Sequence, residues 1–179
     1  MIPEACKARS MFEEKRWALL ESILAAGLPD GHLYEFGCGK AGVAAFLAVK
    51  FPLRSVIACD RFGKGCTALH EKDMPSHLHE GCFGDTDFEE VRAFLPRNVI
   101  PVNCDLSELV PGVAHVALAV VDLNLYEPTL NVLNRIIPYM AKGGTILVDD
   151  WDYPGVYAAL CECGVCFTRN GYMGVWKNE

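Results

Sequence analysis

Apolar positions in this chain follow two alternating rhythms. Trp17, Leu20 and Leu24 recur at helical spacing, preceded by Ser10 and Glu13 in capping-box spacing and followed by Gly27, so they predict a first helix. Five short apolar runs of strand length come next: "HLYEFG" (32–37), "RSVIACD" (54–60), "NVIPVNCD" (98–105), "HVALAVVD" (115–122) and "GTILVDD" (144–150). Between them, "AGVAAFLAVKF" (41–51) and "DTDFEEVRAFL" (85–95) read as helices. So does a segment with Pro128 in its first turn, where Leu130, Leu133, Ile136, Ile137 and Met140 keep helical spacing until Gly143 and Gly144 stop it. A short helix is expected around Tyr157 to Cys161. Two strands near 165–169 and 172–176 flank Asn170-Gly171, a dipeptide that favours a two-residue hairpin turn.

Strands that alternate with helices imply an α/β fold with a parallel sheet covered on both faces. The expectation is a three-layer, doubly wound, Rossmann-like architecture, mostly parallel, with an antiparallel C-terminal hairpin. Right-handed crossovers place the C-terminal ends of the parallel strands along one edge, where ligands of such sheets bind. A single domain over 1–179 is expected, with 1–28 as an N-terminal helical segment and 61–84, "RFGKGCTALHEKDMPSHLHEGCFG", as a candidate lid loop because it lacks apolar periodicity.

Composition narrows the partners. The net charge of -7 offers no basic field for a nucleic-acid backbone. No apolar run has the length of a membrane span, and the charged N-terminus lacks the apolar core of a signal peptide. Nine cysteines in a chain that is not loop-rich, with Cys59 and Cys104 beside apolar runs, read as reduced core residues and point to the cytoplasm. Nothing in the sequence identifies an oligomer interface.

The candidate chemistry lies at the strand ends. "EFGCGKAG" holds Gly37, Gly39 and Gly42 in G-x-G-x-x-G spacing between a strand and a helix, and Asp60 ends the next strand, placed to hold ribose hydroxyls. Together they point to a nucleotide-like cofactor. Glu35, two residues before Gly37, would repel a pyrophosphate but suits an ammonium group, which favours S-adenosylmethionine over NAD(P). Asp105, at the end of the third strand, is placed to accept from an adenine amino group.

The segments "EFGCGKAG", "CDRFG", "HEGCF", "EEVRAFL", "NVIPVNCDLSEL", "VVDLNLYEPTLNVL" and "GGTILVDDWDYPG", in this order, resemble the macrocin O-methyltransferase family of class I S-adenosylmethionine-dependent methyltransferases. The similarity runs from about Leu33 to about Gly155. It implies methylation of hydroxyl groups, notably on sugars of macrolide antibiotics, with a bound magnesium ion. It also implies that Glu35, Gly37, Asp60 and Asp105 hold the cofactor and that Asp122, Asp149 and Asp150 hold the metal. Three departures stand out. Ala41 fills a small-residue position of the glycine turn and is expected to put a methyl group near the cofactor, Asn124 replaces a second acid, and the long N-terminal extension of larger relatives is missing.

The acids also have a physical rationale. Neighbouring parallel strands lie about 4.8 Å apart. If the fourth and fifth are adjacent, Asp122 meets Asp149 and Asp150, and carboxylates about 5 Å apart repel by roughly 3 kcal/mol at an effective dielectric of 20. Either one acid is protonated, or a hard divalent cation, magnesium or a similar ion, is shared. Asp122 is the favoured base. The expected function is a metal-dependent O-methyltransferase acting on a small hydroxylated metabolite. The alternatives are an NAD(P)-dependent oxidoreductase and a non-catalytic S-adenosylmethionine-binding partner subunit.

Weaker signals are His70, His77 and His79 as loop bases, His77/His79/Cys82 and Cys161/Cys163/Cys166 as zinc-like spacings, and Tyr126, Trp151 and Tyr153 as pocket aromatics. For the histidines and the zinc-like spacings, an exposed loop or ordinary packing is the stronger reading; for the aromatics, packing and pocket lining stand equal.

Overall fold

The all-apolar run Val116–Val121 forms strand β4, buried along its whole length, as a strand covered on both faces must be. The computed structural model describes residues 2–108 and 112–179; Met1, which opens the N-terminal segment, and Leu109, which ends the "NVIPVNCDLSEL" motif, lie outside them. In chain order the elements are α1 (Glu4–Lys7), α2 (Glu14–Ala25), β1 (His32–Phe36), α3 (Gly42–Lys50), β2 (Val56–Asp60), α4 (Phe88–Phe94), β3 (Val99–Asn103), β4, α5 (Tyr126–Ile136), β5 (Met140–Val148), α6 (Pro154–Glu162), β6 (Thr168–Asn170) and β7 (Met173–Lys177).

The sheet order is β3-β2-β1-β4-β5-β7-β6. Strands β1 to β5 pair in parallel, while β7 pairs antiparallel with both β5 and β6. Chain direction across the sheet reverses between β1 and β4, and this switch point opens the cleft. One core joins α2, α3 and Val91 of α4 to one sheet face through Leu33, Val56, Ala58, Leu118 and Val120. The other joins α5 and α6 to the opposite face through Tyr34, Phe36, Val121, Ile146 and Val148. The expected three-layer α/β architecture with an antiparallel C-terminal hairpin is therefore the observed one. No helix among the described residues is long and apolar enough to cross a membrane.

Three local expectations change. The capping box does not form: Ser10 Oγ accepts from Phe12 N at 3.0 Å, a local turn that diverts the hydroxyl, and α2 starts after Glu13 without a side-chain cap. Met140 is not helical. Pro138 cannot donate to the helix ladder, so α5 tightens into a 3₁₀ turn at Ile137–Tyr139 and Met140 opens β5. Gly143 and Gly144 then lie inside that strand, where its register against β4 slips. Finally, Asn170 pairs with Met173, so the hairpin loop is Gly171-Tyr172, one residue later than expected. Only its first residue has positive φ (62°), the pattern of a type II′ turn.

Candidate active site

Strand C-termini and the turns that follow them line a cleft of about 610 Å³. Glu35, Gly37, Gly39, Asp60, Asp105, Asp122, Asp149 and Asp150 all line it, so the acids and the first two motif glycines face one space, whereas Gly42 does not line it.

The glycine turn is built for close approach. Gly37 has φ +82°, and a Cβ there would run into the carbonyl oxygen of Asp122 on the neighbouring strand. Gly39 also has positive φ (49°), but a Cβ on it would meet nothing within 4 Å. Gly37 thus lets β1 and β4 come together, while Gly39 faces open space. Gly39 N donates to Asp60 Oδ2 at 2.7 Å, tying the turn to the end of β2. Burial pushes the Asp60 carboxyl up, against the lowering effect of backbone donors from Gly39, Arg61 and Phe62. Ala41 departs from expectation: its methyl is fully buried in the core, and it does not line the cleft.

Glu35 is 4% exposed, and its Oε2 accepts from Ala44 N at 2.7 Å in the first turn of α3. The residue preceding that helix, Ala41, has no side chain to cap with, so Glu35 supplies the cap from the adjoining strand. Burial raises its pKa well above the usual carboxylate range, and Asp60 adds to the shift. Asp105 Oδ1 accepts from Ser107 N (3.1 Å) and Oγ (2.6 Å), and its Oδ2 pairs with Arg61 Nε at 3.2 Å. Arg61 was not singled out from the sequence; it fixes the orientation of Asp105.

The acids at the ends of β4 and β5 converge. Asp122, Asp149 and Asp150 each offer an oxygen within 4.8 Å of the others, and no other group of three or more His, Cys, Asp or Glu residues does so among the described residues. The zinc-like spacings therefore form no cluster. Adjacent pairing of β4 with β5 produces the convergence, because Val121 and Val148 are in register and Asp149 N donates to Val121 O at 2.8 Å. Asp122 is raised well above the carboxylate range by burial, then by Asp149, Asp150 and Glu35, with Arg16 opposing. Asp149 is pushed up to about 6 by burial and by Asp150.

Arg16 is the residue that sequence reasoning missed. Its Nε lies 2.8 Å from Asp149 Oδ1 and its Nη2 lies 2.9 Å from Asp150 Oδ1. In "EEKRW" it reads as one more solvated charge. The only linear signal is its place beside Trp17, at the border of the buried stripe.

The Asp149 shift has a sign that can be measured. A carboxyl with a folded pKa of about 6 binds more protons folded than unfolded between pH 3.8 and 6. Its stabilising effect is present below that window and is lost as pH rises through it, by about 3 kcal/mol. In chelator, Asp149→Asn is expected to gain stability relative to wild type by about that amount between pH 4 and 7, read as denaturation midpoints.

The loop histidines do not line the cleft. His70 Nδ1 accepts from Lys72 N at 3.1 Å and its ring packs against Tyr126, whereas His77 Nε2 lies 3.3 Å from the hydroxyl of Tyr153, which does line the cleft. Trp151 and Tyr126 are packing residues: Trp151 meets Tyr157, and the Tyr126 hydroxyl donates to Glu162. In the 61–84 segment, Cys66 N donates to Cys82 O at 2.8 Å and Gly81 N to Cys66 O at 3.0 Å, closing a neck at the cleft wall. Asp73, 3% exposed, accepts from Tyr126 N (2.7 Å) and His70 N (2.8 Å) and leaves no room for a Cβ on Gly155. Gly155→Ala is therefore expected to expel Asp73, lower stability by roughly 1–3 kcal/mol and speed amide exchange across 66–82.

Comparison with known proteins gives a consistent picture. The profile of a family described as "Methyltransferase domain" matches residues 34–151. The chain is 28% identical, in an alignment 151 residues long that covers 74% of this chain, to the Streptomyces olivaceus "8-demethyl-8-(2,3-dimethoxy-alpha-L-rhamnosyl)-tetracenomycin-C 4'-O-methyltransferase", and it spans 57% of that relative. Among solved structures, the O-methyltransferase NovP superposes with a TM-score of 0.80 at 20% identity, covering 95% of this chain and 82% of its own. The calicheamicin methyltransferase CalS11 superposes with a TM-score of 0.73 at 21% identity, covering 92% and 80%. At these identities the structural likenesses establish the fold.

Proposed function

The chain belongs to the methyltransferase-domain family, and from that premise we propose that it is an S-adenosylmethionine-dependent O-methyltransferase. In this reading a divalent cation assists transfer to a hydroxyl of a small metabolite, such as a glycoside or a natural-product sugar. The observation that carries the reading is the convergence of Asp122, Asp149 and Asp150 within 4.8 Å, in the same cleft as the Gly37–Gly39 turn and Asp60.

The cleft residues fit a cationic, phosphate-free donor. Gly39 leaves space for it, Asp60 faces that space to meet ribose hydroxyls, and Glu35 Oε1 remains for an ammonium group. Arg61 holds Asp105 as an oriented acceptor. The surplus of carboxylates lining the cleft favours a sulfonium over a pyrophosphate, and so over a nicotinamide cofactor.

The three acids also fit magnesium. All the donors are oxygen, and three clustered carboxylates face the single guanidinium of Arg16, which pairs with two of them. Bound there, the cation would stabilise negative charge developing on the acceptor oxygen. In the transfer, that oxygen bonds to the methyl carbon as the carbon–sulfur bond breaks, and sulfur keeps the electron pair. Asp122 takes the released proton; burial and the neighbouring acids raise its proton affinity, with Arg16 opposing. Leu123 and Tyr153 wall the acceptor side, and the 61–84 segment serves as the cover of the cofactor side.

The test is calorimetry with S-adenosylhomocysteine and with NAD, followed by labelled methyl transfer to a panel of hydroxylated glycosides with and without chelator. Homocysteine-derivative binding and chelator-sensitive transfer are expected. Preferential NAD binding overturns the reading. Binding without transfer under any cation favours the non-catalytic alternative, and transfer at full rate in chelator removes the cation step.

A further inference from the structure

Arg16 has no part in the proposed transfer, yet it sits on two of its three central acids. Its guanidinium bridges Asp149 Oδ1 (2.8 Å) and Asp150 Oδ1 (2.9 Å). Asp149 Oδ1 accepts from Asp150 N at 2.8 Å, and its contact with Arg16 Nε is an ion pair without hydrogen-bond alignment, whereas Arg16 Nη2 does donate to Asp150 Oδ1. The helix that carries Arg16 is firmly placed. Trp17 is 3% exposed and packs edge-on against Phe12 and Phe46, with ring centroids 5.5 and 5.4 Å away. The guanidinium can therefore leave only by side-chain rotation. In this same conformer Arg16 Cζ lies 5.7 Å from the centroid of the Tyr172 ring, so the aromatic face also attracts the guanidinium.

We propose that Arg16 is the resident counter-ion of the carboxylate centre and that a divalent cation enters by exchanging with it. The inference rests on the cation-assisted reading above. A guanidinium and a hard cation draw on the same oxygen lone pairs, and two like charges held within a few ångströms repel. Coupling of this kind is reciprocal: whatever the cation does to the grip of Arg16, Arg16 does to the affinity for the cation. Arg16 thus occupies the acids before loading and sets a threshold for loading. The N-terminal segment thereby becomes a determinant of cation affinity.

The test compares wild type, Arg16→Gln and Arg16→Lys for Mn²⁺ binding by electron paramagnetic resonance and for melting temperature in chelator and in Mn²⁺. Arg16→Gln is expected to bind Mn²⁺ at least about tenfold tighter than wild type, to melt lower in chelator and to gain more on adding Mn²⁺. Arg16→Lys, a point charge that cannot bridge both acids, is expected to lie between them. Equal or weaker Mn²⁺ binding by a folded Arg16→Gln, or no Mn²⁺ binding by any of the three, overturns the exchange. Should Arg16→Gln fail to fold, Arg16→Lys binding no tighter than wild type overturns it as well. Calorimetry with S-adenosylhomocysteine on the same samples separates the two ideas. Wild type that binds it without the Mn²⁺ ordering loses only the exchange, and wild type that fails to bind it loses the methyltransferase reading.

Discussion

Asp122→Asn is expected to slow methyl transfer by about 10²–10⁴-fold while leaving S-adenosylhomocysteine affinity nearly unchanged. The amide keeps the shape of the side chain and one oxygen, but it cannot accept the acceptor's proton. In the wild type, burial and the neighbouring Asp149, Asp150 and Glu35 all raise the proton affinity of Asp122, and only Arg16 opposes them. The substitution removes a like charge from this group, so the variant should also melt higher than wild type in chelator. That gain serves as the control for folding. Single-turnover transfer, calorimetry and thermal melts check the three parts, and transfer within about threefold of wild type would move the base elsewhere.

Gly37→Ala is expected to be the most damaging single-methyl change in the cleft. Its φ of +82° already disfavours a side chain, and the new Cβ would meet the backbone of Asp122, which cannot rotate away. Asp122 N donates to Phe36 O at 2.8 Å at this point, so relief of the clash would part β1 from β4 in the middle of the sheet. A loss of more than about 4 kcal/mol is expected, seen as insolubility or a collapsed denaturation midpoint. Gly39→Ala provides the contrast. It carries conformational strain of about 1–2 kcal/mol but no clash, and its methyl enters the space left for the cofactor, so the effect should fall mainly on S-adenosylhomocysteine affinity.

Much of this was legible in the sequence. The five parallel strands announce themselves as short apolar runs, and the acids at their ends follow from where those runs stop. Once β4 and β5 are neighbours, Asp122 must lie near Asp149. Less visible were the features that depend on competition between local options. Ser10 had a nearer backbone donor than the helix terminus, Pro138 ended α5 before the glycine pair was reached, and Gly171 rather than Asn170 took the first loop position. Least visible were partnerships between residues distant in the chain. Arg16 with Asp149, Asp73 with the N-terminal turn of α5, and Glu35 with the start of α3 leave no mark on periodicity or spacing, because each depends on how packed layers bring one side chain to another. Glu35 shows the cost of this. Reading it only for a ligand's ammonium group misses that it also caps a helix, so its removal would harm the fold and the cleft together.

The ion pair between Arg16 and Asp150 closes a loop of 134 residues. No fragment that lacks α2 or the residues following β5 can contain this ion pair, since all five parallel strands lie between its halves in the chain. Contacts of such long sequence separation form late and slow the search. The Arg16 contact can therefore serve as a reporter of tertiary assembly, forming only when the N-terminal helices have docked at the edge where β4 and β5 end.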